Sequence, residues 1–315
     1  MPSNKSAEHF VTLFDSSYLP MGMCLHASLM KHGQPFHLWI LCMDELVEQQ
    51  LRQLVLPHVS LIPLQEVETD ALLGVKNGRT RAEYCWTLTP FTPQFVFDRD
   101  QNVERVTYLD ADLFFFDSPR ILLEEFDASD KDVLITEHGY APEYEQLVEN
   151  GIFCVQFMTF RRTEGSLKVM QWWQDRCLEW CFFRYEDGKF GDQKYLDDWP
   201  ERFPNEVHVL KQVVKTLAPW NVRHFTNLNP SGRPVLYHFH GLKIVSVRKV
   251  LLYSGYPVGH GRKFYERYLM ALKEIFSVMK EAGMPIPVRP EDIAILHKLR
   301  VVKRLLLGKT KYAVI

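Results

Sequence analysis

The sequence predicts an α/β protein whose mainly parallel sheet is flanked by helices and followed by a C-terminal helical appendage. Three observations predict it. Short apolar runs alternate with helix-period segments from the start of the chain. The strand-like run Val106-Thr107-Tyr108-Leu109 ends in two closely spaced carboxylates, where sheets of this kind gather ligands. After Gly241 the β signal fades and two long, partly basic segments with helical periodicity take over.

The elements follow in order. Residues 10–14 form an apolar run that stops at the polar turn Asp15-Ser16-Ser17-Tyr18, and residues 19–31 carry apolar side chains at helical spacing. A second apolar run at 36–42 precedes a polar helix at 45–54, and 59–64 reads as a third strand. Residues 151–160 are a further buried strand, 166–183 a Trp-rich helix and 235–239 a last short strand. Residues 263–279 and 290–307 are expected to be helical. This divides the chain into a main α/β domain at 1–250 and a helical, basic tail at 251–315.

Composition narrows the function. The 315 residues carry 37 Lys and Arg against 39 Asp and Glu, a formal net charge of -2, so nucleic acid is not an expected partner. The six cysteines at 24, 42, 85, 154, 177 and 181 form no CxxC pair and no zinc spacing, which suits reduced thiols. The first ten residues lack a basic segment followed by an apolar one. No run of about 18 apolar residues occurs, so a cytoplasmic protein is expected.

Asp110 and Asp112 interrupt a buried apolar run. Desolvating two carboxylates costs several kcal/mol unless a cation or strong donors stand nearby. A hard divalent ion, Mg²⁺ or Mn²⁺, satisfies both and leaves the rest of its shell to phosphate oxygens. A simple cap on the turn after a strand would use the same residues. His238-Phe239-His240-Gly241-Leu242-Lys243 closes the last strand and offers an imidazole, a glycine that permits close approach and a cation suited to phosphate. A core histidine beside a turn glycine is the plainer reading. The polar loop Phe190-Gly191-Asp192-Gln193-Lys194 could be a solvated helix start with Asp192 near its N-cap.

Taken in order, these segments resemble glycosyltransferase family 8, over roughly residues 8 to 245. Tyr108-Leu109-Asp110-Ala111-Asp112 is similar to the family's metal motif, and the segment from Phe14 to Leu19 to its opening nucleotide loop. Asp192-Gln193-Lys194-Tyr195-Leu196-Asp197 resembles its Asp-Gln-x-x-Leu-Asn loop, residues 217–221 the segment that follows, and His238-Phe239-His240-Gly241 its late His-x-x-Gly motif. The resemblance implies the GT-A fold, a Rossmann-like nucleotide-sugar-binding architecture, and sugar transfer with retention. It also implies that Asp110, Asp112 and His238 hold the metal. Asp15 would contact the base, with Ser17 and Tyr18 beside the nucleoside and Asp110, Ala111, Gly241 and Lys243 along the donor. Asp192 and Gln193 would face the donor sugar as the catalytic pair, and UDP is the nucleotide the family favours.

The departures cluster near the donor. Cys154 and Gln156 stand where the family has Asn and Gly, Trp86 replaces an Arg for which Arg81 could substitute, and Lys243 follows Gly241 by two residues instead of three. A sugar-1-phosphate nucleotidylyltransferase would begin with a Gly-rich basic loop that Asp15-Ser16-Ser17-Tyr18 lacks. A degenerate sugar-nucleotide-binding relative is the non-enzymatic alternative.

In residues 293–307, Ile295, Leu299, Val302 and Leu306 recur at helical spacing between Lys298, Arg300, Lys303 and Arg304. Such a helix either lies on the inner face of an anionic membrane or docks on the domain with a solvated basic face. Bacterial lipopolysaccharide members of the family carry similar tails. The resemblance therefore implies a saccharide or lipid-linked acceptor and a place in lipopolysaccharide biosynthesis.

Overall fold

The computed structural model describes residues 7–229, 231–289, 303–305 and 307–315. Its first three strands, β1 (Glu8–Phe14), β2 (Phe36–Cys42) and β3 (Val59–Pro63), run parallel. β1 and β2 each hide all but one residue, so they read as continuous apolar runs because both sheet faces are covered. Helix α1 (Leu19–His32) starts on Pro20, and α2 (Glu45–Leu54) is capped by the Asp44 carboxylate, which accepts from the Val47 N–H.

β4 (Arg105–Leu109) lies parallel to β1, and the Asp110-Ala111-Asp112 turn carries the chain directly into β5 (Leu113–Phe115). β6 (Val133–Glu137) and β7 (Phe153–Arg161) follow. β8 (Val207–Val209), β9 (Thr216–Leu217) and β10 (Leu236–His238) are short. The main sheet has seven strands in the order β3-β2-β1-β4-β7-β6-β8. It is mainly parallel, with β7 reversed against both β4 and β6. A second sheet, β5-β10-β9, pairs β5 with β10 in antiparallel register, with His238 opposite Leu113. That register brings the late histidine to the paired carboxylates.

Two hydrophobic cores cover the sheet. One joins Leu25 and Leu29 of α1 with Phe10, Leu38, Phe115 and Phe157. Full burial of each such side chain contributes about 1.5–3 kcal/mol against an extended chain, an upper value because unfolded chains are partly collapsed. The other packs Trp173 and Trp199 against Val11, Leu41 and Phe160. All six cysteines are free thiols.

The Trp-rich helix spans Glu164–Glu179, shorter than residues 166–183, because Trp180 leaves helical geometry at φ -155. Residues after Gly241 differ from the expected run of helices. β11 (Lys243–Ser246), β12 (Lys249–Ser254) and β13 (Thr310–Val314) form a three-stranded antiparallel sheet, and β12 crosses residue 250. The expected helix does form at Arg262–Glu281. It buries Tyr268, Leu272 and Met279 in the same core as α1. Ile295, Lys298, Leu299, Arg300, Val302 and Leu306 lie outside the described residues. Lys303 is exposed, and Arg304 Nη1 donates to Ser254 Oγ at 3.4 Å. Among the described residues, no helix is long and apolar enough to cross a membrane.

Candidate active site

The turn between β4 and β5 is pinned from both sides. The Asp110 N–H donates to the Gln156 carbonyl at 3.1 Å, and the Phe239 N–H donates to the Asp112 carbonyl at 2.9 Å. The turn therefore cannot be displaced without breaking the β4–β7 and β5–β10 pairings. Its two carboxylates meet His238, whose Nε2 is 3.1 Å from Asp112 Oδ1 and 3.6 Å from Asp110 Oδ2. Ligand atoms of Asp110, Asp112 and His238 all lie within 4.8 Å of one another, the one such cluster among the described residues. Two carboxylates and one imidazole suit a divalent ion with open positions for phosphate oxygens.

Acids and imidazole shift one another inside this corner. Burial, helped by the Asp112 charge, outweighs His238 and pushes the Asp110 carboxyl up to about 6. At Asp112 burial would raise the pKa, but the facing His238 holds it below the usual carboxylate range. Burial works against charge on His238 too, yet Asp112, with smaller contributions from Cys154 and Asp110, raises it well above the usual imidazole value. His238 thus gives Asp112 a positive partner, and a cation held between the acids would take the place of the Nε2 proton. The other ring nitrogen, Nδ1, donates to Gln156 Oε1 at 2.9 Å. This fixes the ring so that Nε2 faces the acids. Gln156 is 1% exposed, a polar side chain in a mostly apolar, buried strand. Sequence reading treats it only as a departure from a family pattern; its buried amide was the signal for a positioning role. Tyr108 also joins the corner, donating its hydroxyl to Asp110 Oδ1 at 3.0 Å.

A cavity of about 780 Å³ opens on these residues. Asp15, Tyr18, Asp110, Ala111, Asp112, Asp192, Gln193 and His238 all line it, so one chamber unites the four motifs. At one end Asp15 caps the turn that follows β1, accepting from the Ser17 N–H at 2.9 Å. Arg81 Nε lies 2.9 Å from Asp15 Oδ2, and the same guanidinium pairs with Asp44, whose other contacts include the Ser16 N–H. Arg289 enters this end as well: it donates to Ser17 Oγ and lies over the Tyr18 ring, 4.0 Å from its centroid. No local motif marks Arg289, which reaches the cavity only through tertiary packing.

At the other end the loop 191–193 is shaped by Gly191 at φ +54, where a β-carbon would sit 3.6 Å from Trp86. The Trp173 indole donates to the Asp192 carbonyl at 2.9 Å, and Gln193 Nε2 donates to the Asn150 carbonyl at 2.9 Å. Asp192 is 3% exposed and its Oδ2 has no hydrogen-bond partner. Burial, reinforced by the charge of Asp110, pushes this carboxyl up to about 8. Although Asp192 stands at the N-cap position of the short turn Gln193–Asp198, its side chain makes no capping bond. Trp220 and Asn221 both donate to the His138 carbonyl, which secures an aromatic wall of His138, Tyr140, Trp220 and Tyr256. Burial lowers His138 to about 3, so it adds no charge near neutrality.

Ser17, Gly241 and Lys243 do not line the cavity. Ser17 touches it through Arg289. Gly241 takes φ +76, a turn conformation that favours glycine, and Lys243 is an exposed first residue of β11. The cationic side chains that do line the chamber near Asp15 are Arg81 and Arg289.

A mainly parallel sheet with one reversed strand, ending in an Asp-x-Asp turn closed by a late histidine, defines the class: the chain has the GT-A glycosyltransferase fold. Its structure is similar to that of the galactosyltransferase LgtC solved with donor and acceptor sugar analogs, with a TM-score of 0.54 and 14% identity, covering 84% of this chain and 95% of that one. It is also similar to mouse xyloside xylosyltransferase 1, with a TM-score of 0.50 and 14% identity, covering 75% of this chain and 98% of that one. In sequence it is 33% identical over 256 residues to YfnF of Bacillus subtilis strain 168 and 30% identical over 291 residues to YfnD of the same strain, both described as uncharacterized. The matches cover 76% and 88% of this chain, and 84% and 92% of YfnF and YfnD. The chain belongs to the family of YfnF and YfnD. No protein-family profile matches it.

Proposed function

We propose that the protein is a metal-dependent glycosyltransferase that moves a sugar, with retention, from a nucleotide sugar to a saccharide or lipid-linked acceptor in envelope polysaccharide or lipopolysaccharide synthesis. UDP is the favoured nucleotide and Mn²⁺ or Mg²⁺ the favoured ion. The observation that carries this reading is the single chamber joining Asp15 and Tyr18, the Asp110, Asp112 and His238 cluster, and Asp192 with Gln193.

Asp110, Asp112 and His238 would hold the ion, whose charge when bound stabilises a departing nucleoside diphosphate. Asp15 and Tyr18 would hold the base, and Asp192 and Gln193 the sugar. In transfer with retention by front-side attack, the bond from the anomeric carbon to the diphosphate oxygen breaks. A bond to the acceptor oxygen forms on the same face, and the acceptor proton passes to the departing phosphate. The Gln193 amide is a poor covalent nucleophile, which favours this course over a glycosyl-enzyme. The alternation of apolar and basic residues from Ile295 to Leu306, together with the family resemblance, supports contact of this tail with the inner face of an anionic membrane.

The test is turnover of a panel of nucleotide sugars with Mn²⁺ and simple glycoside acceptors, with the product's anomeric configuration read by NMR. Activity with one donor and a retained configuration is expected. Asp110→Ala and Asp112→Ala should each lower turnover by about 1,000-fold without unfolding the chain. Full activity in either variant would overturn the metal assignment.

A further inference from the structure

We propose that Arg289 is a resident stand-in for the nucleobase, and that a nucleoside enters the Asp15–Tyr18 cleft by displacing its guanidinium. This rests on reading that cleft as the nucleoside end of the donor site. Three contacts place the group where a base would have to lie. Its Cζ is 4.0 Å from the Tyr18 ring centroid, a van der Waals stack that leaves no room for a second plane between them. Its Nη2 donates to Ser17 Oγ and stands 3.8 Å from Asp15 Oδ1. A guanidinium is flat, delocalised and edged with N–H donors, so it offers an aromatic face and a carboxylate what a nucleobase offers them.

The surroundings allow the exchange. The Arg289 backbone is tied down, its N–H donating to the Ile244 carbonyl of β11 at 2.8 Å, so only the side chain has to turn. That side chain is 32% exposed and can move toward solvent. Asp15 is not stranded when it leaves, because Arg81 stays 2.9 Å away and is itself held by Asp44. Displacement therefore costs a stack, the hydrogen bond to Ser17 Oγ and a weak, partly screened ion pair, and leaves no buried carboxylate unpaired. The observed affinity for any nucleotide is then the intrinsic affinity reduced by the fraction of molecules whose cleft is clear of the guanidinium.

Calorimetric titration tests this with wild type, Arg289→Ala and Arg289→Lys, using UDP, CDP, GDP and ADP with Mn²⁺ and the matching nucleosides. Arg289→Ala should bind its preferred nucleotide about tenfold more tightly, and the parent nucleoside more tightly by the same factor, because the competition is at the base. Arg289→Lys, charged but not flat, should fall between the two. In Arg289→Ala, added methylguanidinium should weaken nucleoside binding again. Unchanged or weaker binding in Arg289→Ala overturns the proposal while leaving the donor site standing. A loss confined to the diphosphates would make Arg289 a phosphate contact instead, which also overturns it. Failure of both wild type and Arg289→Ala to bind any nucleotide would overturn the donor-site reading and this proposal with it.

Discussion

Two side chains at the site do work that their neighbours make possible. Gln156 holds Nδ1 of His238 at 2.9 Å, and through that bond it sets which nitrogen faces Asp110 and Asp112. Replacing it with Leu keeps the buried volume roughly constant but frees the ring to turn. Gln156→Leu should weaken Mn²⁺ binding by about 10- to 100-fold, as loss of a partner behind a ligating imidazole does, and titration calorimetry would read it; unchanged affinity would mean the ring is oriented by packing alone. Asp192 gives a prediction in pH. Burial, then the Asp110 charge, raises its folded pKa to about 8, whereas an unfolded aspartate titrates near 3.9. Between these values the folded state keeps a proton that the unfolded chain has lost, so the contribution to stability is complete below about pH 4 and fades as pH rises toward 8. Asp192→Asn cannot lose that proton. Its melting temperature should exceed wild type on the order of 5 °C at pH 8, with the gap closing toward pH 4. Parallel curves for the two proteins would show that Asp192 is ionised throughout.

At the scale of elements, the junction of β1 with α1 sets the floor of the Asp15 end of the chamber. Gly22 lies inside α1, and a β-carbon there would stand 2.4 Å from Cζ of Phe14, the cavity-lining residue that ends β1. The clash is with a ring packed in the core, not with a flexible tip. Gly22→Ala should therefore destabilise the protein by about 1–3 kcal/mol despite alanine's better helix propensity. Urea unfolding would measure it, and a stabilised variant would show that the ring moves freely. The elements that sequence reading recovers are the ones with a strong internal apolar pattern: β1, β2, β3, β4, β7, β10, α1, α2 and the helices Glu164–Glu179 and Arg262–Glu281. The ones it misses depend on partners. Among them, β6, β8, β11 and β13 are three to five residues long and become strands through the chain laid beside them, as does the six-residue β12.

At the scale of the whole molecule, the site was legible where chemistry is concentrated in a few contiguous residues. Asp110 with Asp112 and His238 interrupt apolar runs with groups that need partners, the Asp192-Gln193 loop carries a contiguous polar motif, and all line the chamber. Lys243 pointed away from it because β11 begins there and turns its side chain to solvent. Arg289 could not be read at all, since nothing beside it in the chain suggests that it meets residues 15–18. The pairing of β5 with β10 has a further consequence, for synthesis. The two acids leave the ribosome long before the imidazole that completes their cluster, and only the docking of Leu236–His238 on Leu113–Phe115 brings it to them. A polypeptide released before Leu236 lacks the strand that carries His238 and so cannot assemble the cluster of Asp110, Asp112 and His238.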